Sequence, residues 1–232
     1  MTAGAGSGNA PDNAPDPAPD FAHIDTWLFD LDNTLYPLGS GLAAIVSDRI
    51  TSFVAELTGL PRKEALVLQK RYLAQYGLTL AGMLEHHGVD PATYHAMFHD
   101  LPLDSLAPDP VLRAGLERLP GRRLIFTNAD DVHAARVLEH LELADLFEAV
   151  FHIGAADFAP KPSDAAFERI MAAHAIAPAR TAFFEDTAAN LAPAAALGMT
   201  TVLVGPAAVL TAPPFVNFRA VDLAAFLATV RL

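Results

Sequence analysis

Asp30-Leu31-Asp32-Asn33-Thr34, at the end of the apolar run Trp27-Leu28-Phe29, sets two carboxylates one residue apart. If residues 27–29 form a buried strand, side chains of equal parity leave the pleat on one face, so Asp30 and Asp32 are expected to project together where the strand ends. Open parallel sheets bind their ligands at such carboxyl ends. Two like charges about 4 Å apart repel by roughly 4 kcal/mol at an effective dielectric of about 20, so the pair needs a proton or a cation. The competing reading is a solvated turn, since Asp, Asn and Thr all favour turns.

The rest of the chain supplies the context. With 232 residues, 52% of them apolar and 18% charged, it can bury a sizeable core as one domain carrying an insertion. The net charge of −12 argues against nucleic acid or an anionic membrane as partner. It also means that an anionic substrate requires local positive charge or a metal. The absence of cysteine excludes disulfides and thiolate metal sites. Residues 1–22 are expected to be a disordered tail, because MTAGAGSGNAPDNAPDPAPD offers almost nothing that can pack. No Lys or Arg precedes Arg49 and no apolar h-region precedes Phe21, so neither a secretory signal nor a transit peptide is read, and a cytoplasmic location is expected. Residues 191–216 are uncharged, yet Pro193, Gly198, Gly205 and Pro206 divide them into a helix, a turn and the short strand Val202-Leu203-Val204, so no membrane span is expected.

From 41 to 100 the periodicity is helical. Leu42, Ile45, Val46, Ile50, Phe53, Val54 and Leu57 fall on one stripe, Gly59-Leu60-Pro61 and Tyr76-Gly77 end helices, and Asp90-Pro91 starts another. Asp109-Pro110 repeats the start signal, with the Pro-rich 101–110 stretch as a hinge. Beyond 121, short apolar strands at Arg123 to Phe126, Ala149 to Ile153, Thr181 to Phe184 and Thr201 to Val204 alternate with helices, the pattern of βαβ units. The expected architecture is therefore a Rossmann-like α/β core of parallel strands, residues 23–38 and 107–232, interrupted by an all-helical domain at 39–106.

Each strand end carries chemistry. Thr127-Asn128 follows the second strand, Lys161-Pro162 the third, and Glu185-Asp186 the fourth, with Asn190 beyond. One sheet edge thus collects a nucleophile, an acid/base, hydrogen-bond donors for equatorial oxygens and ligands for a hard cation, the inventory of phosphoryl transfer.

This order resembles the four motifs of the haloacid dehalogenase superfamily, and the likeness spans residues 23 to about 205. The 39–106 insert sits where that superfamily carries its helical C1 cap. The wording from Phe29 to Pro37, Tyr76-Gly77-Leu78-Thr79-Leu80 and Asp157-Phe158-Ala159-Pro160-Lys161-Pro162 is similar to its pyrimidine 5'-nucleotidase branch. The resemblance implies an Mg²⁺-dependent phosphomonoesterase. In it Asp30 attacks phosphorus to form an aspartyl-phosphate, and Asp32 protonates the leaving oxygen and then deprotonates water. It implies that Thr127 and Asn128, with Thr34, hold phosphate oxygens, that Lys161 neutralises the reacting charges, and that Asp30, the Asp32 carbonyl and Asp186 hold Mg²⁺. Glu185 either ties down Lys161 or reaches the metal through water. Asn190 replaces the aspartate often found there, which points to an outer role. Thr79 or His99 would face substrate from the cap.

The expected substrate is a small phosphate ester, first a nucleotide such as UMP or CMP, handled by a monomer or homodimer. Phosphoglycolate or sugar-phosphate hydrolysis and a β-phosphoglucomutase-like transfer share the same motifs. A haloacid dehalogenase needs neither Asp32 nor Asp186, and a phospho-receiver domain is shorter and has no cap. Tyr36 reads equally as packing or as a wall of the nucleoside pocket. His95 and His99 have the i, i+4 spacing of a zinc pair but lack an obvious third ligand.

Overall fold

The structure, a computed structural model, describes residues 19–210 and 212–232, and the expected tail at 1–18 lies outside them. Six strands form: β1 (Thr26–Phe29), β2 (Arg122–Phe126), β3 (Ala149–Phe151), β4 (Thr181–Glu185), β5 (Thr200–Val204) and β6 (Phe218–Ala220). They make one wholly parallel sheet in the order β3-β2-β1-β4-β5-β6. The chain winds outward from β1 to β3 on one side, then returns to β4 and continues outward on the other. The carboxyl ends of β1 and β4 therefore flank the switch point, where doubly wound sheets open a ligand crevice. Register brings the motifs there: Phe29 pairs with Ile125 on one side and Phe184 on the other, so Asp30 emerges beside Glu185.

Both sheet faces are covered, and for that reason the central strands read as unbroken apolar runs. Trp27, Phe29, Ile125, Phe184 and Val202 pack into one core layer, whereas Leu28, Leu124, Phe126, Phe183 and Leu203 pack into the other. The sixth strand was not expected. Phe218-Arg219-Ala220 is three residues long at the sheet edge, too short for a readable alternation. It is anchored by Asn217, whose Oδ1 accepts from Thr201 N at 2.8 Å. At the other end of the chain, residues 19–22 belong to the fold and not to a tail. Phe21 is buried, its N donates to Arg231 O at 2.8 Å, and its ring centroid lies 5.6 Å from that of Trp27. The aromatic payload of this residue outweighs the polar composition around it.

Four helices fill the segment between β1 and the hinge: α1 (Leu42–Thr58), α2 (Arg62–Tyr76), α3 (Thr79–His87) and α4 (Pro91–Ala96). Asp90 caps α4 by accepting from Thr93 N at 3.0 Å. The apolar stripe of α1 is divided between two duties. Leu42 and Val54 are buried in the core, Val46 and Ile50 line a cavity, and Leu57 is exposed. Gly77 ends α2 at φ 75°, and a Cβ there would stand 3.2 Å from Lys161 O, so the insert rests directly on the loop carrying that lysine. Downstream, α5 (Pro110–Glu117) packs on α9 (Leu223–Thr229), α6 (Asp131–His140) follows β2, α7 (Asp164–His174) follows β3, and α8 (Ala188–Ala196) joins β4 to β5. No helix among the described residues is long and apolar enough to cross a membrane.

Candidate active site

The strand β1 ends at Phe29, and Asn33 turns the chain at φ 65°. Pleat parity therefore does not extend to Asp32, and the two aspartates acquire different partners. Asp30 is buried; its N donates to Phe184 O at 2.9 Å, and Thr34 Oγ1 donates to its Oδ2 at 3.0 Å. Its Oδ1 accepts from Lys161 Nζ at 2.8 Å. The lysine is only 1% exposed and spends its other hydrogens on Phe126 O at 2.6 Å and Glu185 Oε2 at 2.7 Å. An ammonium has three hydrogens, so its direction is fully determined.

One ammonium thus serves two buried carboxylates. Burial, and the charge of Glu185, push Asp30 up to about 7. Burial likewise lifts Glu185 to about 7 against the pull of Lys161. Burial opposes the charge on Lys161, yet the two carboxylates outweigh it and hold the lysine above its ordinary value. Asp186 adds a third carboxylate, raised by burial and by Asp30. Asp30, Glu185 and Asp186 each offer an oxygen, all within 4.8 Å of one another, the one such group of metal-capable side chains among the described residues. Three acidic oxygens facing one committed ammonium fit a hard divalent cation held by oxygen ligands.

Asp32 stands in a different field. Its Oδ1 accepts from Tyr36 Oη at 2.6 Å and from His133 Nε2 at 2.8 Å. Burial would raise its carboxyl, but His133 and Tyr36 prevail and hold it below the ordinary carboxylate range. Burial would lower His133, and Asp32 instead raises it. His133 lies in the first turn of α6, where its N donates to the capping carboxylate of Asp130, Oδ1, at 2.7 Å. The other Asp130 oxygen meets His99 Nε2 at 3.1 Å and His95 Nδ1 at 3.4 Å. His95 and His99 therefore converge on a carboxylate and not on a metal trio. His133 was missed in the sequence. Its readable signal is a histidine in the first turn of the helix that follows Thr127-Asn128.

A cavity of about 910 Å³ opens between this sheet edge and the helical insert. Asp30, Asp32, Thr127, Lys161, Glu185, Asp186 and Asn190 line it from the core, and Ser47, Gln69, Thr79, Tyr94 and Phe98 line it from the insert. Thr127 accepts from Ala129 N at 3.0 Å through Oγ1, which leaves its hydroxyl hydrogen free to donate. Asn128 lines the cavity and also clamps the lysine loop: its Nδ2 donates to Lys161 O at 3.1 Å and its Oδ1 accepts from Lys161 N at 2.8 Å. Thr34 lies off the cavity wall and holds Asp30. His99 lies off the wall too, on Asp130, whereas Thr79 lines the cavity but is buried with its hydroxyl toward Gln69 O at 3.4 Å. Tyr36 is both wall and hydrogen-bond donor to Asp32.

A buried, lysine-bound aspartate at the switch point of a doubly wound sheet stands where such sheets place their active sites. Residues 24–198 match the haloacid dehalogenase-like hydrolases, and the chain belongs to that family. It is 29% identical over 193 residues to Phosphate metabolism protein 8 of Saccharomyces cerevisiae, a match covering 76% of this chain and 60% of that protein, so the chain spans about three fifths of this relative's length. The fold is similar to that of a HAD phosphatase from Thermococcus onnurineus, with TM-score 0.60 and 17% identity over 90% of this chain and 100% of the other. It is also similar to L-2-haloacid dehalogenase from Xanthobacter autotrophicus, with TM-score 0.54 and 16% identity over 88% and 97%. One fold thus carries both chemistries, and the site must choose between them.

Proposed function

We propose that the protein is a Mg²⁺-dependent phosphomonoester hydrolase acting through a phosphorylated Asp30, with pyrimidine 5'-nucleotides as substrates. The observation that carries this reading is the cavity floor, where a buried lysine aims Asp30 into a cluster of three carboxylate oxygens. A dehalogenase has no use for that acidic surplus. Asp30, Asp186 and the Asp32 carbonyl, with Glu185 adjoining, would hold the cation, which when bound neutralises phosphoryl oxygens and the Asp30 cluster.

The chain's own residues supply the steps. Lys161 holds the Asp30 carboxylate in a single orientation, and one of its oxygens forms a bond to phosphorus as the bond from phosphorus to the ester oxygen breaks. Asp32 must first take up a proton, which it gives to the departing oxygen; the carboxylate left behind then takes a proton from the water that attacks phosphorus and releases Asp30 and inorganic phosphate. The Thr127 hydroxyl donates to a phosphoryl oxygen. The helices of the insert close over the leaving group as a cap, in which Tyr36, Tyr94 and Phe98 offer aromatic surface to a base and the Gln69 amide offers a polar edge.

The test is phosphate release from a panel of phosphate esters, with Mg²⁺ or with chelator, for the wild type and Asp30→Asn. Both chelation and the substitution are expected to abolish release, with uridine and cytidine monophosphates preferred. Asp32→Asn is expected to accumulate protein one phosphoryl group heavier by mass spectrometry. Release unaffected by chelator and by Asp30→Asn overturns the mechanism; a flat substrate profile overturns the nucleotide assignment.

A further inference from the structure

Asp32 hangs from a loop, and a carboxylate there has two free torsions unless neighbours fix them. Two donors converge on a single oxygen, Tyr36 Oη at 2.6 Å and His133 Nε2 at 2.8 Å, both on Oδ1. Oδ1 accepts from both partners whether the carboxyl is ionised or carries its proton on Oδ2, so the protonated ring nitrogen of His133 is the one facing Asp32. Oδ2 remains for the cavity. Tyr36 belongs to the same loop as Asp32 and moves with it, whereas His133 belongs to a helix on the core and is 5% exposed. That helix start is itself pinned, since Asp130 Oδ1 accepts from the His133 N at 2.7 Å while Asp130 Oδ2 meets His99 and His95 from the insert. His133 is therefore the one rigid reference against which the acid/base carboxylate is aligned.

We propose that His133 is a positioning residue that fixes the Asp32 carboxylate so that its free oxygen faces the ester oxygen leaving phosphorus. The inference rests on the reading of Asp32 as proton donor to that oxygen. It needs only a donor at the place of Nε2, and an amide of the right reach satisfies it. Misplacing a proton donor harms esters whose leaving oxygen needs the proton and spares those whose leaving group departs as a stable anion.

The experiment compares kcat/KM, which reports phosphoryl transfer to the enzyme, for phenyl phosphate and 4-nitrophenyl phosphate with Mg²⁺ present. The variants are His133→Asn, His133→Gln and Asp32→Asn. Asparagine and glutamine carry the same amide, but only glutamine reaches the Nε2 position. Asp32→Asn is expected to lose on the order of 10²–10⁴-fold on phenyl phosphate and much less on 4-nitrophenyl phosphate. His133→Asn is expected to reproduce that selectivity at roughly 10–100-fold, and His133→Gln to recover most of the loss. Thermal unfolding of each variant establishes that it is folded, and Tyr36→Phe, which deletes the other donor, is expected to shift the ester ratio in the same direction. If Asp32→Asn is selective but His133→Asn lowers both esters equally, or His133→Gln is as impaired as His133→Asn, the positioning role is overturned while the function stands. An Asp32→Asn variant with no ester selectivity overturns the acid/base reading and the inference with it.

Discussion

Replacing Asp30, the proposed nucleophile, is expected to stabilise the cation-free protein. Asp30 is buried, and its carboxyl is lifted from 3.8 to about 7 even with Lys161 bound to it. Below about pH 4 it is neutral in folded and unfolded chains alike. Between about 4 and 7 the unfolded chain ionises it and the folded chain resists, so stability falls as pH rises through this window, and above about 7 the loss is complete. At about 1.4 kcal/mol for each pH unit, the full loss is about 4 kcal/mol. Asn fits the same space, accepts from Lys161 and leaves Glu185 to balance the ammonium alone. The lifted carboxyl already includes the pull of Lys161, so the gain at pH 8 is about 4 kcal/mol, or roughly 8–15 °C in Tm for a chain of this size. Circular-dichroism melts of wild type and Asp30→Asn in chelator should show that gain at pH 8 and about a third of it at pH 5. Added Mg²⁺ should stabilise the wild type more than the variant and narrow the difference. A variant no more stable than wild type at pH 8, or one equally stabilised at both pH values, refutes the electrostatic account of this site.

Lys161→Met keeps the aliphatic stem but leaves Asp30 and Glu185 without their shared cation. Phosphate release is expected to fall at least about 100-fold. Unfolding free energy at pH 8 should drop by about 3–5 kcal/mol, and by less at pH 5, where both carboxyls bind protons; denaturant titrations at the two pH values measure this. Gly121→Ala tests the sheet away from the site. Gly121 has φ 79° and its added Cβ would lie 2.1 Å from Asp25 O, so the backbone entering β2 must move. A loss of more than about 1–3 kcal/mol is expected in urea unfolding, with kcat of the folded fraction unchanged.

The strands were legible because a parallel strand buried on both faces has no alternation to disguise it, and Leu28 and Trp27 enter different core layers without either turning polar. The edge strand at 218–220 lacked that signature. Asp30, Thr127 and Asp186 were legible because each directly follows a strand, and topology alone gathers strand ends at one edge; Lys161 lies further on, in the loop between β3 and α7, and was legible from its order and its Lys-Pro context. Duties that depend on side-chain direction were not. Thr34 and Asn128 sit beside Asp30 and Thr127, but one turns inward to Asp30 and the other clamps the Lys161 backbone 33 residues away. His133 is 101 residues from Asp32, and its one local mark, a place in the first turn of the helix after Thr127-Asn128, does not say which carboxylate it meets. Composition placed the tail boundary too late because a single aromatic, Phe21, outweighs its polar neighbours once a core is within reach.

The two aspartates of one loop end in opposite electrostatic states, and proton traffic depends on that contrast. Asp30 and its neighbours Glu185 and Asp186 share one lysine, so the floor keeps an excess of negative charge and disfavours a second anion. Asp32, one residue further along, has a private histidine and a tyrosine that lower its proton affinity. In the cation-free protein this contrast opposes the proposed roles, because it favours a proton on Asp30 and ionises Asp32; a cation beside Asp30 would lower its carboxyl and restore the nucleophile, and Asp32 must take up a proton before it acts as acid. The turn at Asn33 achieves the separation by sending successive carboxylates to elements that lie on either side of β1. Asp30 is then governed by charge at the β1–β4 boundary, and Asp32 by hydrogen bonds from Tyr36 and from α6, which is the helix the insert also grips through Asp130.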